Sequence, residues 1–190
     1  MAVISSDGAN YNIGGIDIYF DSTVAHASLL LGTGRGAAFR TAWRNIGNIV
    51  SAEFNPDVTY VDHYISIKGS RRKDLTQPTT KALNVNFVFD EVNATNLRRF
   101  FLASNLGAQT NRLAPMEKAL LNGSVSMLFH TDIGRDFVYS IPKATIKPDG
   151  ALAMNTEEWW TGPMVLEVLY YATGQYASKP YGLLDTSAIA

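Results

Sequence analysis

The sequence predicts a mainly β domain flanked by a single α-helix. Apolar and polar residues alternate over much of the stretch from Asn48 to Ala172, as in strands that bury one face. Turn residues punctuate the alternation at Asn55-Pro56-Asp57 and Pro148-Asp149-Gly150. One stretch, Asp90 to Asn105, instead carries a narrow apolar stripe at helical spacing, through Leu97, Phe100 and Phe101.

The 190 residues are expected to form one domain carrying two arms. Residues 1–15, with Gly8, Gly14, Gly15, Asn10 and Asn12 and no sustained period, read as an N-terminal arm. Ile16 to Phe20 alternates and reads as a first strand, after which residues 21–47 form a long irregular connection. The β core is expected over residues 48–172. Val50, Ala52 and Phe54 share a face of a short strand that stops at Asn55-Pro56-Asp57. Val61, Ile65 and Ile67 share a face of the next strand, with His63 in line. Leu83, Val85, Phe87 and Phe89 give the cleanest strand, with Asn84 and Asn86 on its other face. Between the last two lies a long polar hairpin loop, Lys68 to Thr80, well beyond the lengths hairpins prefer.

The helix is expected over residues 92–104, capped by Asn93 or Asp90, with Ala114 to Leu121 as a short second helix. Strands resume at Val125, Met127 and Phe129, turn through Asp132-Ile133-Gly134, and return along Phe137, Tyr139 and Ile141. Pro142 lacks an amide proton, which places it at a sheet edge or a bulge. Met164 to Ala172 is the last strong strand, and residues 173–190 read as a C-terminal arm broken by Gly174, Pro180 and Gly182.

Composition removes several classes of chemistry. The formal charge is −1, from 16 basic and 17 acidic residues, so counterion release does not drive nucleic-acid capture. Cysteine is absent, which excludes disulfides, thiolate metal sites and cysteine nucleophiles. His26, His63 and His130 are scattered, whereas zinc needs several converging ligands. Gly32-Thr33-Gly34-Arg35-Gly36 has neither dinucleotide nor P-loop spacing. Glu157 and Glu158 are adjacent, so a strand would point them to opposite faces, unsuited to paired acid–base work. No G-x-S-x-G elbow occurs, and the reading is of a non-enzyme with no cofactor and no small-molecule substrate. No apolar run reaches membrane-span length, and no basic region precedes a hydrophobic stretch, so synthesis and retention in a cytoplasm are expected.

Two features call for a binding explanation. Arg71, Arg72, Lys73 and Asp74, with Lys68 and Gln77 in the same loop, form the densest charge cluster. A loop with no core duty seldom stays ordered without a partner, so these residues are expected to contact acidic surface on another subunit or a phosphate, with a solvated loop tip as the lesser reading. Trp159 and Trp160 are expected to be core and interface anchors, with a sugar-binding platform as the lesser reading.

Several runs together resemble the tail tube proteins of long-tailed bacteriophages. They are Asn45 to Phe54, Val61-Asp62-His63-Tyr64, the polar Gly69 to Asp74 and the alternating Thr80 to Glu91. The helix bearing Asn96-Leu97 and Phe100-Phe101 follows, then Glu157-Glu158-Trp159-Trp160 ahead of the apolar Val165 to Tyr171. The resemblance spans roughly residues 45–172. It implies a β-sandwich or barrel-like tail tube fold with a flanking helix, a long hairpin loop and extended arms. It further implies hexameric rings that stack into a hollow tube for genome ejection, within a virion made in a bacterial cytoplasm. The hairpin over residues 68–80 would reach the neighbouring ring. Other tail proteins (tape measure, terminator, distal tail) would be partners, and DNA would pass without specific binding.

Sheet physics adds to this expectation, because closing a ring removes exposed strand edges. Asn84, Asn86, Ser124 and Ser126 alternate with apolar residues and are candidates to face a water-filled lumen. Alternative readings are another component of the same fold (a distal ring, a terminator or the inner tube of a contractile system) and a carbohydrate-binding β module using the two tryptophans.

Overall fold

A computed structural model of the chain describes residues 14–24, 44–107, 109–130 and 136–189. The expected N-terminal arm up to residue 13, most of the 21–47 connection and the Asp132-Ile133-Gly134 turn lie outside the described residues. The protein is mainly β, as the alternation predicts. Its principal antiparallel sheet is built from β1 (Ile16–Asp21), β2 (Arg44–Asn45), β3 (Ile49–Ile67) and β4 (Ser70–Phe89), then β7 (Leu121–Phe129), β8 (Asp136–Pro148) and β9 (Gly162–Val168). The spatial order is β2-β1-β7-β8-β9-β4-β3, and β10 (Leu183–Ile189) pairs with β8 off that path. A small second sheet pairs β5 (Ser104–Leu106) with β6 (Gln109–Ala114).

Alternation fixes which face is buried. Ile18 and Phe20, Val125 and Met127, Val85, Phe87 and Phe89, and Met164, Leu166 and Val168 all point into one core. Glycine lets the strands approach at Gly123, where a Cβ would lie 2.0 Å from the Asp21 carbonyl. Burial of these side chains is worth roughly 1.5–3 kcal/mol each and dominates the stability of the body.

Pro142 lies within the central strand β8. Opposite it the β7–β8 register slips between Gly123 and Val125, so the proline marks a bulge, one of the two expected solutions. The core-facing residues accordingly shift from Tyr139 and Ile141 to Ala144 and Ile146. On its other side β8 pairs first with β10 around Ser140 and then with β9 from Ala144. The bulge is therefore where β8 exchanges neighbours.

Helix α1 (Ala94–Phe100) is shorter than the expected 92–104. Asn93 caps it, its side-chain oxygen accepting from Thr95 N at 3.0 Å and Asn96 N at 2.9 Å. Leu102 follows with φ 46°, a left-handed residue that stops the helix, and the chain turns into β5. The expected second helix over 114–121 is absent. Met116 has φ 61°, and Met116 and Lys118 instead donate backbone bonds to the Phe101 and Leu102 carbonyls. Met116 and Leu120 are exposed, so no apolar stripe was available to hold a helix there.

The C-terminal arm, described over 173–189, packs against the sheet. Tyr176, on a 3-10 turn over Gly174–Tyr176, is buried with Tyr19, Leu128 and Val138 against the sheet's second face. The last apolar strand also ends at Val168 rather than Ala172, and Tyr171 N then donates to the Pro180 carbonyl at 2.9 Å. Physical necessity explains both: Tyr19, Leu128 and Val138 leave apolar surface on that face which needs a cover.

Asn96 ties the helix to the sheet. Its buried side chain donates to the carbonyls of Ile46 and Glu91 and accepts from Arg99, whose guanidinium also sits over the Phe20 ring. Asn96→Ala should strand these buried polar groups and lower stability by about 2–4 kcal/mol, read as an earlier urea midpoint with an unchanged slope.

Candidate assembly interface

The β3–β4 hairpin outruns the rest of the sheet. β3 and β4 remain paired from Ile49 with Phe89 to Ile67 with Ser70, but β9 reaches β4 only as far as Leu83. Beyond that point, residues 57–67 and 70–82 form a free two-stranded ribbon about 40 Å long at roughly 3.3 Å per residue. The expected turn at Asn55-Pro56-Asp57 does not occur; Pro56 is an ordinary ladder position opposite Leu83. It sits on an edge strand, where a missing amide proton can be tolerated. The expected long loop over 68–80 is likewise a strand. Reversal takes two residues, Lys68 with φ 49° and Gly69 with φ 81°, both left-handed as tight hairpin turns require.

The ribbon has two distinct faces. On one, Asp62 accepts from Thr76 Oγ1 at 2.9 Å and pairs with Lys73 Nζ at 2.7 Å. Hydrogen bonds from Lys73 and Thr76 hold the Asp62 carboxyl below its usual range. Beside them the Arg71 guanidinium lies 4.4 Å from the Tyr64 ring centre. The opposite face carries Val61, Ile65, Ile67 and Leu75, with His63 Nδ1 bonded to Asp74 Oδ1 at 2.7 Å. Val61 is 57% exposed and Leu75 50% exposed. Covering the open half of each of these four side chains would be worth roughly 1 kcal/mol apiece. An isolated two-stranded hairpin is marginal in water, so this face lacks the core a ribbon needs.

Every charge-cluster residue expected to make contacts, namely Lys68, Arg71, Arg72, Lys73, Asp74 and Gln77, lies on this ribbon or at its turn, exposed. Sequence reasoning missed that the apolar residues Val61 and Leu75 belong to the same surface. The alternation of Val61, Ile65 and Ile67 was a visible signal, but Pro56 and the length of 68–80 pointed to separate elements.

The ribbon's root is braced by the C-terminal segment. Tyr139 donates to the Tyr181 carbonyl at 2.6 Å, and the Tyr181 hydroxyl donates to the Lys81 carbonyl at 3.0 Å. An apolar hollow lined by Phe54, Leu83, Phe129, Phe137, Tyr139 and Leu184 opens beside it. Phe54 on β3 reaches across to Phe129, with ring centres 5.6 Å apart.

The lumen candidates divide. Asn84 and Asn86 are half-buried on the outer face of the body, where β4 pairs with Glu167 and Val165 of β9 and Lys147 pairs with Glu167. Ser124 and Ser126 are buried and do not face solvent. Ser124 donates to the Thr23 carbonyl at 2.7 Å, and Ser126 is laddered between Tyr19 and Ser140 on the face closed by Tyr176. Alternation alone could not reveal that this second face is also covered.

Neither tryptophan anchors the core. Both are exposed on the connection from β8 to β9, Trp159 at 86%, while Trp160 Nε1 donates to the Asn155 carbonyl at 3.1 Å. Among the described residues no three His, Asp or Glu side chains are grouped to hold a metal ion, and no helix is long and apolar enough to cross a membrane.

A family model described as "Protein of unknown function UCP028589" matches residues 29–156, which include the whole ribbon and α1. The chain belongs to this family. No curated protein matches the chain. Family membership thus extends the similarity across the ribbon without assigning it a task.

Burial pushes the Tyr139 phenol up to about 12. Since that lies above the unfolded value of about 10, folding favours the neutral ring; its contribution is complete below about pH 10 and is lost as the pH rises toward about 12. Circular dichroism across that window should show stability falling. Tyr139→Phe should flatten part of the decline while costing about 1 kcal/mol at neutral pH through the lost bond to Tyr181.

Proposed function

We propose that this protein is a structural subunit that assembles with its own copies into stacked rings, forming the hollow tail tube of a phage. The observation that carries the reading is the free ribbon. A two-stranded element about 40 Å long, with Val61, Ile65, Ile67 and Leu75 exposed on one face, needs a surface to complete it. Sister copies supply such surfaces in a fixed orientation, and repetition of one contact yields a ring or a filament. Residue patterns resembling phage tail tube proteins support the same assignment, since the run Val61-Asp62-His63-Tyr64 and the polar Gly69 to Asp74 both fall on the ribbon.

In this reading the protein is not an enzyme, and its work is done by shape. Rings would be hexameric, and tape measure, terminator and distal tail proteins would be further partners in the virion. Asn84 and Asn86 remain the lumen candidates: small, neutral polar groups on the wet face of the body. Such a lining, with a net charge of −1 for the whole chain, would let DNA pass instead of holding it.

Purified protein at rising concentration, viewed by negative-stain electron microscopy, should form rings and then tubes. Shortening the hairpin by replacing residues 59–80 with Asn-Gly should leave the circular dichroism spectrum of a folded body and abolish tubes. Wild-type protein that stays single at every concentration contradicts the reading. Isolated rings without tubes favour a distal or terminator component, and a monomer whose tryptophan fluorescence responds to oligosaccharide favours a sugar-binding module.

A further inference from the structure

The ribbon and the exposed Trp159 lie at opposite ends of the sheet. β4 pairs with β9 from Leu83 opposite Val168 to Phe89 opposite Gly162. The ribbon continues β4 past the Leu83 end, whereas the connection from β8, residues 149–161, enters β9 at the Phe89 end. That connection carries Glu157, Glu158 and Trp159, all exposed. One subunit therefore bears a projecting basic tip at one pole and an acidic, aromatic loop at the other.

Among the described residues neither feature has an ion-pair partner, although the Arg71 guanidinium also lies over the Tyr64 ring. Among the described residues no carboxylate lies within ion-pair reach of Lys68, Arg71 or Arg72, and no cation lies within reach of Glu157 or Glu158. Lys73 and Asp74 near the tip are already paired, with Asp62 and His63 respectively. The charges left over are thus basic at the tip and acidic on the 157–159 loop. Trp159 at 86% exposure adds the aromatic face that best accepts a guanidinium.

We infer that the acceptor for the ribbon tip is the 157–159 loop of a second copy, with Arg71 and Arg72 meeting Glu157, Glu158 and Trp159. The inference rests on the assembly reading above and names the surfaces it uses. The contact joins two different patches, so it repeats head to tail and leaves a fresh tip and a fresh loop at the two ends of any stack. Opposite charges also steer copies into that orientation, because two tips or two loops repel. The shared rule is simple: like poles refuse each other.

Charge reversal separates this pairing from assembly in general. Glu157→Lys with Glu158→Lys should raise the critical concentration for tubes at least tenfold, and Arg71→Glu with Arg72→Glu should do the same. The protein carrying all four reversals should assemble within about threefold of wild type, since the pairing is restored with its signs exchanged. Circular dichroism of each variant checks folding, which substitutions at exposed positions should leave intact. Reversals that assemble like wild type, or a fourfold variant no better than either pair, overturn the inference while wild-type tubes keep the assembly reading standing. Wild type that never assembles removes both.

Discussion

Hydrogen bonding between two strands is not enough to hold a ribbon in water, and the β3–β4 hairpin asks it to do so well past the sheet's last supporting strand. Up to Leu83 each rung of β4 is flanked by β9 and packed on the core through Val85, Phe87 and Phe89. Past that point the backbone ladder persists, but Val61, Ile65 and Leu75 have solvent where the body has a core. Local devices help: the Lys73–Asp62 pair, the His63–Asp74 bond and the Arg71–Tyr64 stack all bridge the two strands. Exposed cross-strand pairs of this kind are screened by solvent and add little, which leaves the ribbon without a core of its own.

The body is organised to carry that projection. The bulge at Pro142 lets β8 pair with β10 and then β9 on the same side, so the C-terminal segment is drawn against the sheet beside the ribbon's root. There Tyr139, Tyr181 and Lys81 form a short chain of hydrogen bonds from the central strand to the hairpin. At the other pole Asn93 starts α1 and Asn96 and Arg99 clamp it to Ile46, Glu91 and Phe20, closing that end of the core. A rigid body with one long lever is suited to the proposed tube, where each subunit must find its neighbours in one orientation.

Much of the body was legible in the sequence, because a strand with one buried face writes its orientation directly into the residues. Val85, Phe87 and Phe89, the Val125 and Met127 pair, and the cap at Asn93 all followed from period and side-chain chemistry. The ribbon was misjudged because Pro56 and a polar stretch are turn signals in the middle of a sheet but harmless on an edge that nothing else pairs with. Ser124 and Ser126 were misplaced for a related reason. A serine opposite apolar residues marks the other face, and what covers that face, here Tyr176 from far along the chain, leaves no local trace. The short helix failed the same way: propensity does not foresee the left-handed residues at Leu102 and Met116.

Amide hydrogen exchange, followed residue by residue in dilute and in concentrated protein, examines the dependence of the hairpin on its sisters most directly. Amides between Val58 and Lys81 should exchange quickly in dilute solution and become protected as particles grow, while those of Val85, Phe87 and Leu166 stay slow throughout. Equal, strong protection of the hairpin at every dilution would mean that it is complete by itself, and that assembly is not what sustains it.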